Sequence, residues 1–369
     1  MRDTIIVGAG FVGSFVAYNL AKRGIDTVVF EEDSEIGLPP HCTGLVSLRG
    51  IRRIGLLEMI HKRDLILNKI RCAEIITRSS RRKICLNNDE LGVIDRVGLD
   101  KFISEMAMSH GAEFYTGHKV EAITREGHIV VRNNTLAGRV VIDAEGSSRR
   151  LLRKLLNKKI LSSLPAVQID IKTAWDKCLD VVEVYMNIPD FFSWILPIDN
   201  RNVRIGIASR RIRNLLSIVR ILARRRFDKF TEINRFGGLV NVDGPYKQFV
   251  FGKVVAVGDV VGQTKPTTGG GVVVGGLSAA LLAKIIEKYL SEDMPLHYYD
   301  HLWRKLFLKN INFMRCLRRL IFGINGAVIA DLILKLFPQE VTFEADYDFQ
   351  FDLLKRSLCA IKKRRINIS

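Results

Sequence analysis

The stretch DTIIVGAGFVGSFVAYNLAKRGIDTVVFEE, residues 3–32, constrains the fold more than any other part of the chain. TIIV is a short continuous apolar run that ends at a glycine turn, as a fully buried strand does. Residues Phe11 to Lys22 read as a helix with small side chains at Ser14 and Ala17, and TVVF as a second buried strand. Strand, turn, helix and strand in that order make a βαβ unit, and such units lie in parallel sheets covered by helices on both faces. Gly8, Gly10 and Gly13 supply G-x-G-x-x-G at the turn. Gly8 permits the tight turn, Gly10 lets backbone N–H groups approach a pyrophosphate, and Gly13 lets helix and strand pack closely. The helix N-terminus then faces the phosphates. Glu31, at the end of the second strand, stands where a carboxylate accepts ribose hydroxyls. A merely tight turn would leave Glu31 without a reason, so the unit is read as dinucleotide-binding.

Which dinucleotide is decided by KVVAVGDVVGQTKPTTGGGVVVGGLSAALLAKIIEKYL, residues 253–290. It is a second buried strand, glycine-rich turn and helix, a pairing that two-motif FAD enzymes need and NAD domains rarely do. Gly258 and Asp259 follow the strand, and the Asp259 carboxylate suits a ribityl hydroxyl. Gly269, Gly270, Gly271 and Val272 at the helix start suit the flavin pyrimidine edge, where N–H groups stabilise negative charge on the reduced ring. FAD is therefore the expected cofactor. No second G-x-G-x-x-G occurs, so electrons are expected from a donor that docks transiently, a small carrier such as ferredoxin or NAD(P)H.

The rest of the chain supplies the architecture. Residues 1–163 are expected to hold the first part of the FAD-binding domain, with a β-rich insertion at about 65–93. Within it KIRCAEIITRS and RRKICLN read as paired strands. AVQIDIKTAW, VVEVYMNI, FFSWILPI and NVRIGIAS alternate like antiparallel strands, so residues 164–251 are expected to form an inserted substrate-binding domain. Residues 252–293 return to the FAD-binding domain, and 294–369 read as helical throughout. The fold class is α/β, a Rossmann-like FAD domain with an inserted antiparallel sheet and a helical C-terminus, an architecture similar to that of the aromatic hydroxylases.

Several motifs resemble one family of FAD enzymes, the geranylgeranyl reductases. PPHCTG matches its P-x-x-C-x-G element at Pro39, Cys42 and Gly44, with Thr43 inside it. PDFFSWILP matches its P-x-x-Y-x-W-x-F-P element at Pro189, Trp194 and Pro197, with Phe192 and Leu196 in place of Tyr and Phe. DRVGLD puts Arg96 where the family has an arginine near the flavin nucleotide, and Val120 falls where backbone contacts adenine. DAEGSSRR departs from the family, with Glu145 in place of an aspartate. The resemblance implies that Cys42 and Thr43 lie over the flavin and that Trp194 and Phe192 line an apolar substrate tunnel. Phe191 and Phe192, as neighbours on a strand, would point to opposite faces, so only one of them is expected to line it.

Cys42 is then the expected catalytic residue. An isolated prenyl double bond is unpolarised, so a hydride has nothing electrophilic to attack unless a proton arrives with it. Cys42 either positions the alkene or helps to deliver that proton, with His41 as a possible helper. Packing alone is the bland alternative for a small loop cysteine. Cys72 and Cys85, on strands, are expected in the core, and no cysteine or histidine spacing forms a metal site.

Composition narrows the partners. The 57 Lys+Arg against 39 Asp+Glu leave a net charge of +18, which favours an anionic membrane or a nucleic acid. The flavin motifs disfavour nucleic acid. The charge clusters in SSRRLLRKLLNKK (147–159), SRRIRNLLSIVRILARRRFDKF (209–230) and KKRR (362–365). HLWRKLFLKNINFMRCLRRLIFGI, with Trp303, Phe307 and Phe313, reads either as an interfacial helix or as a core-packing helix with a basic outer face. LIFGINGAVIADLILKLF carries Asn325, Asp331 and Lys335, which a lipid-facing span rarely tolerates. The sequence thus predicts a cytoplasmic enzyme, peripheral on the inner membrane face. It would saturate geranylgeranyl chains, foremost on digeranylgeranylglycerol phospholipids of archaeal membranes. The alternatives are a geranylgeranyl diphosphate or chlorophyll-type prenyl reductase, or a flavin monooxygenase or halogenase on the same scaffold.

Overall fold

A computed structural model of the protein describes residues 1–350 except 88, 89, 159, 324, 325 and 345. KKRR at 362–365 and Cys359 therefore lie outside the described residues.

The chain builds two large sheets. In the first, Val254–Ala256, Asn134–Asp143, Arg2–Val7, Thr27–Phe30 and Glu113–Tyr115 run parallel in that order. The two β-strands of the opening βαβ unit are adjacent, Val7 opposite Phe30. Helices Phe11–Ala21 and Val272–Glu292 both pack on this sheet's core, and their first residues lie at the carboxyl ends of Arg2–Val7 and Val254–Ala256. Two helix N-termini thus open onto one edge, which is where such sheets bind ligands.

The second sheet has eight strands, in the order Thr231–Asn241, Ser163–Lys172, Asn202–Ala208, Ser193–Pro197, Val181–Tyr185, Cys72–Ile76, Arg81–Leu86 and Glu340–Phe343. Side-chain alternation gives it two distinct faces. Ile169, Ile171, Ile195, Val203, Ile205 and Ile207 are buried against the basic helix Leu215–Arg226, which contributes Leu215, Val219 and Ala223. Leu164, Ala166, Trp194, Leu196 and Ala208 lie on the other side with Phe191 and Val242. The Cys72–Ile76 and Arg81–Leu86 strands pair antiparallel and join this sheet, beyond the residues 164–251 expected to build it.

Three sequence expectations are corrected. The C-terminal region is not helical throughout, because Glu340–Phe343 is a strand parallel to Arg81–Leu86. Pro338 cannot continue the preceding helix, and Val341, Thr342 and Phe343 favour extended backbone. Cys72 and Cys85 are buried as expected, but they are bonded to each other as a disulfide rather than standing as separate thiols. They face each other across the antiparallel pair, Cα to Cα 4.1 Å. Phe191 and Phe192 do not point to opposite faces; their rings stack at 4.0 Å. The strand begins only at Ser193, and Asp190 at φ 71° turns the chain just before it, so strand alternation does not apply to the two phenylalanines.

Candidate functional site

The glycine turn of the first motif has the geometry a phosphate cradle needs. A Cβ on Gly8, at φ +98°, would stand 2.5 Å from the Ala144 carbonyl oxygen. One on Gly13 would stand 1.9 Å from the Gly8 oxygen. Gly10 is exposed with open space around it and caps its helix with no side chain, so the N–H groups of the first turn face outward. Glu31 reaches back to this turn, accepting the Ala9 N–H at 2.6 Å and the Asp33 N–H at 3.0 Å. It thereby stiffens the loop. Val120 is buried on its strand, and its carbonyl accepts from Arg150 at 2.6 Å.

The second motif opens on the same edge. Asp259 accepts a hydrogen bond from Ser147 at 2.9 Å, and burial raises its carboxyl above the ordinary value despite Ser147 and Arg149. Gly258 and Gly269 both have positive φ, and a Cβ on Gly271 would lie 2.6 Å from the Asp259 carboxylate. Gly271 caps Val272–Glu292 without a side-chain hydrogen bond, and Gly270 precedes it in the same turn. Arg96 lies against both Asp100 (3.0 Å) and the Cys42 thiol, with its Nε buried and unpartnered among the described residues. Burial works against its charge, yet Asp100 and Cys42 hold the guanidinium above its ordinary value.

The Cys42 loop is clamped onto the second sheet, and the residues that hold it are ones the sequence did not single out. Thr43 Oγ1 donates to Gln168 at 2.7 Å, and Arg204 donates to the Thr43 carbonyl at 2.7 Å. Arg204 is itself forked onto Asp170, at 2.7 and 2.9 Å. The His41 ring nitrogen meets the Gly237 carbonyl at 2.7 Å, so that histidine is tethered rather than free in solvent. Gly206 lets the Trp194 ring lie flat on the sheet beside Gln168, since a Cβ there would sit 2.3 Å from the ring. Thr43, Gln168, Gly206 and Trp194 are thus successive neighbours, and Phe192 meets Trp194 edge-on at 5.8 Å.

Two further residues matter, Arg149, which no motif announced, and Glu145. Arg149, buried at φ 53°, donates to Ser163, Asn241 and the carbonyls of Asp259 and Val260, stitching the second sheet to the Asp259 turn. Glu145, the departure from the family pattern, accepts the N–H groups of Arg150, Leu151 and Leu152 and so caps a short helix. Asp143 beside it is completely buried, and desolvation together with Glu145 raises its carboxyl well above the ordinary range. Some of the basic clusters are accounted for in the same way. Arg149, Arg150 and Lys154 bond the fold's own carbonyls, and Arg226 is paired with Glu183 and Asp176. Trp303 and Phe307 are buried, so their helix packs on the core through them.

Two uncapped helix starts, glycine turns that a Cβ would fill, and carboxylates at Glu31 and Asp259 form a donor and acceptor set that fits FAD. Residues 3–47 match the FAD dependent oxidoreductase family. The protein is an FAD-dependent oxidoreductase. More particularly, it is similar over most of its length to archaeal proteins named digeranylgeranylglycerophospholipid reductase. That of Methanothermobacter thermautotrophicus (reductase 2) is 25% identical, over 92% of this chain and 93% of its own. That of Methanococcus vannielii is 25% identical over 86% and 87%. Among solved structures, a geranylgeranyl bacteriochlorophyll reductase-like protein of Thermoplasma acidophilum has the same fold, with TM-score 0.84 and 19% identity over 100% and 99% of the chains. The myxobacterial chondrochloren halogenase shares the fold at TM-score 0.71 and 16% identity, over 86% and 81%.

Proposed function

We propose that the protein saturates isolated double bonds of geranylgeranyl chains, most specifically those of digeranylgeranylglycerol phospholipids. The observation that carries this reading is the placement of the Cys42 and Arg96 pair beside a sheet face of Trp194 and Phe192, in a chain whose relatives bear that reductase name. Bound FAD in its reduced form supplies a hydride. The chain's part is to hold an apolar chain still, to exclude water and to present a proton. Trp194, Phe192 and Leu196 belong to one apolar cluster, and Phe192 brings no hydroxyl to it. Cys42 Sγ is the proton source, passing its proton to an alkene carbon, with the Arg96 guanidinium beside it. The proton and the hydride together add two hydrogens across one double bond. Thr43, His41 and Arg204 fix the loop so that Sγ does not wander.

The substrate is reached at an anionic membrane surface. Val328, Leu332 and Leu336 are exposed at one-turn spacing along Gly326–Lys335 and just past it, and no described helix is long and apolar enough to cross a membrane. Such a row on a chain of net charge +18 suits shallow docking on acidic lipid. The electron donor is a small carrier or NAD(P)H.

The test is anaerobic. Dithionite-reduced, FAD-loaded protein is given digeranylgeranylglyceryl phosphate, and lipid mass is followed with flavin reoxidation. Mass gain in pairs of hydrogens, coupled to reoxidation and diminished in Cys42→Ser, is expected. Flavin that ignores the lipid but reoxidises rapidly with air and NAD(P)H would assign the chain to the monooxygenases.

A further inference from the structure

Lys265 lies in the turn before Gly269, and the proposed reaction does not use it. Its side chain is 4% exposed and its ammonium meets Asp348 at 2.6 Å, a carboxylate only 1% exposed. The same ammonium lies 3.7 Å from the centre of the Tyr347 ring. Tyr347 and Asp348 belong to a C-terminal stretch tied down by Arg53 to Asp346 and by Thr267 to Gln350 at 3.0 Å. The backbone of Lys265 brackets the glycine turn, donating to the Gly270 carbonyl at 3.0 Å and accepting the Gly269 N–H at 2.7 Å. A Cβ on Gly270 would stand 3.4 Å from Lys265 Nζ. The Lys265 ammonium, paired with Asp348, is therefore held at the turn where the helix Val272–Glu292 starts without a side-chain cap. Asp348 Oδ2 and Thr268 Oγ1 are buried with no hydrogen-bond partner among the described residues. A buried ion pair contributes little net stability against an apolar substitute.

We propose that Lys265 is the electrostatic partner of the flavin pyrimidine edge, its charge favouring the reduced, anionic ring, and that Asp348 sets how much of that charge the ring feels. The inference rests on FAD docking at the Gly269–Gly271 turn and is independent of the lipid substrate. A unit charge about 4 Å away changes an equilibrium by about fivefold in water-like screening and by far more inside a protein, so about tenfold is a modest expectation.

The experiment equilibrates FAD-loaded protein anaerobically with a reference dye and reads the ratio of reduced to oxidised flavin. Asp348→Asn is expected to raise that ratio about tenfold and Lys265→Met to lower it about tenfold, with Lys265→Arg close to the parent. Variants moving in the same direction, or neither moving while FAD stays bound, overturn the proposal. Lys265→Met leaves Asp348 buried alone; if it does not fold, Lys265→Met/Asp348→Asn replaces it. That double variant is expected below the parent, and a ratio equal to the parent's overturns the role. Gly270→Leu, which fills the turn, is expected to lose FAD. Normal FAD binding by Gly270→Leu would reject the docking itself, a result separate from any outcome of the lipid assay.

Discussion

Replacing Arg204 by methionine separates what holds the fold from what holds the Cys42 loop. The guanidinium makes two bonds to Asp170, at 2.7 and 2.9 Å, and one to the Thr43 carbonyl at 2.7 Å. A fourth contact, to the Cys42 carbonyl at 3.5 Å, is at the limit of a hydrogen bond and is left out of the reckoning. Both members of the pair are largely buried, with side-chain exposures of 14% and 11%. Arg204→Met leaves Asp170 as an uncompensated buried carboxylate, which costs ~3–5 kcal/mol. That is a large fraction of the ~5–15 kcal/mol by which a domain is stable. Replacing the partner as well, in Arg204→Met/Asp170→Leu, removes the stranded charge, and most of the stability should return. The loop should not recover. Its bond to a charged donor is worth ~1.5–3 kcal/mol, so loop opening should become about 10- to 150-fold more frequent in both variants.

Two assays read the two effects. Urea unfolding reports stability, and the alkylation rate of Cys42 in a Cys178→Ser/Cys316→Ser/Cys359→Ser background reports loop opening, since Cys42 is then the one thiol outside the disulfide. The expected pattern is low stability with fast labelling in the single variant, and near-parent stability with fast labelling in the double variant. A double variant that regains both stability and slow labelling would refute the reasoning, because the loop would then be held by something other than Arg204. Prenyl reduction should follow the labelling rate rather than the stability.

Gly13→Ala should abolish FAD binding and destabilise the protein, because its Cβ would overlap the Gly8 oxygen and neither backbone can move away cheaply; flavin fluorescence and a thermal melt report both, and normal cofactor content would contradict it. Asp143→Asn should stabilise the apoprotein at neutral pH. Burial raises the folded carboxyl above its ordinary 3.8, so the native state binds the proton more tightly than the unfolded chain does. Stability is therefore full below the unfolded value and falls as pH rises through the folded one, and the Tm gain of the asparagine variant should grow across that window. A gain that is identical at pH 4 and pH 8 would rule out the buried charge as its cause. Unreduced, denatured protein should take up four alkyl groups on its six cysteines, with Cys72 and Cys85 protected by their disulfide; six groups by mass spectrometry would contradict that pairing.

The parts of the site legible in the sequence are those fixed by local backbone geometry. Gly8, Gly10, Gly13 and Glu31 are decided within one βαβ unit, where the turn permits few residue types, and Asp259 with Gly269 to Gly271 repeats the logic at a second strand end. What holds the Cys42 loop was not legible, because its partners are far away along the chain. Arg204 and Thr43 are 161 positions apart, and Gln168 and Thr43 are 125 apart. Alternation shows that Gln168, Asp170, Arg204 and Gly206 are out of register with the isoleucines beside them, but not that this face receives the Cys42 loop. The phenylalanine pair was misread for the opposite reason: a periodicity was extended into a turn that Asp190 had already broken. Charge was the least legible of all. An excess of +18 reads as a surface property, yet Arg149, Arg204 and Lys265 are buried or nearly so, each opposite a carbonyl or carboxylate. In a fold assembled from two sheets, cations that stitch one sheet's loops to the other leave the surface, so the exposed excess is smaller than the sequence total suggests.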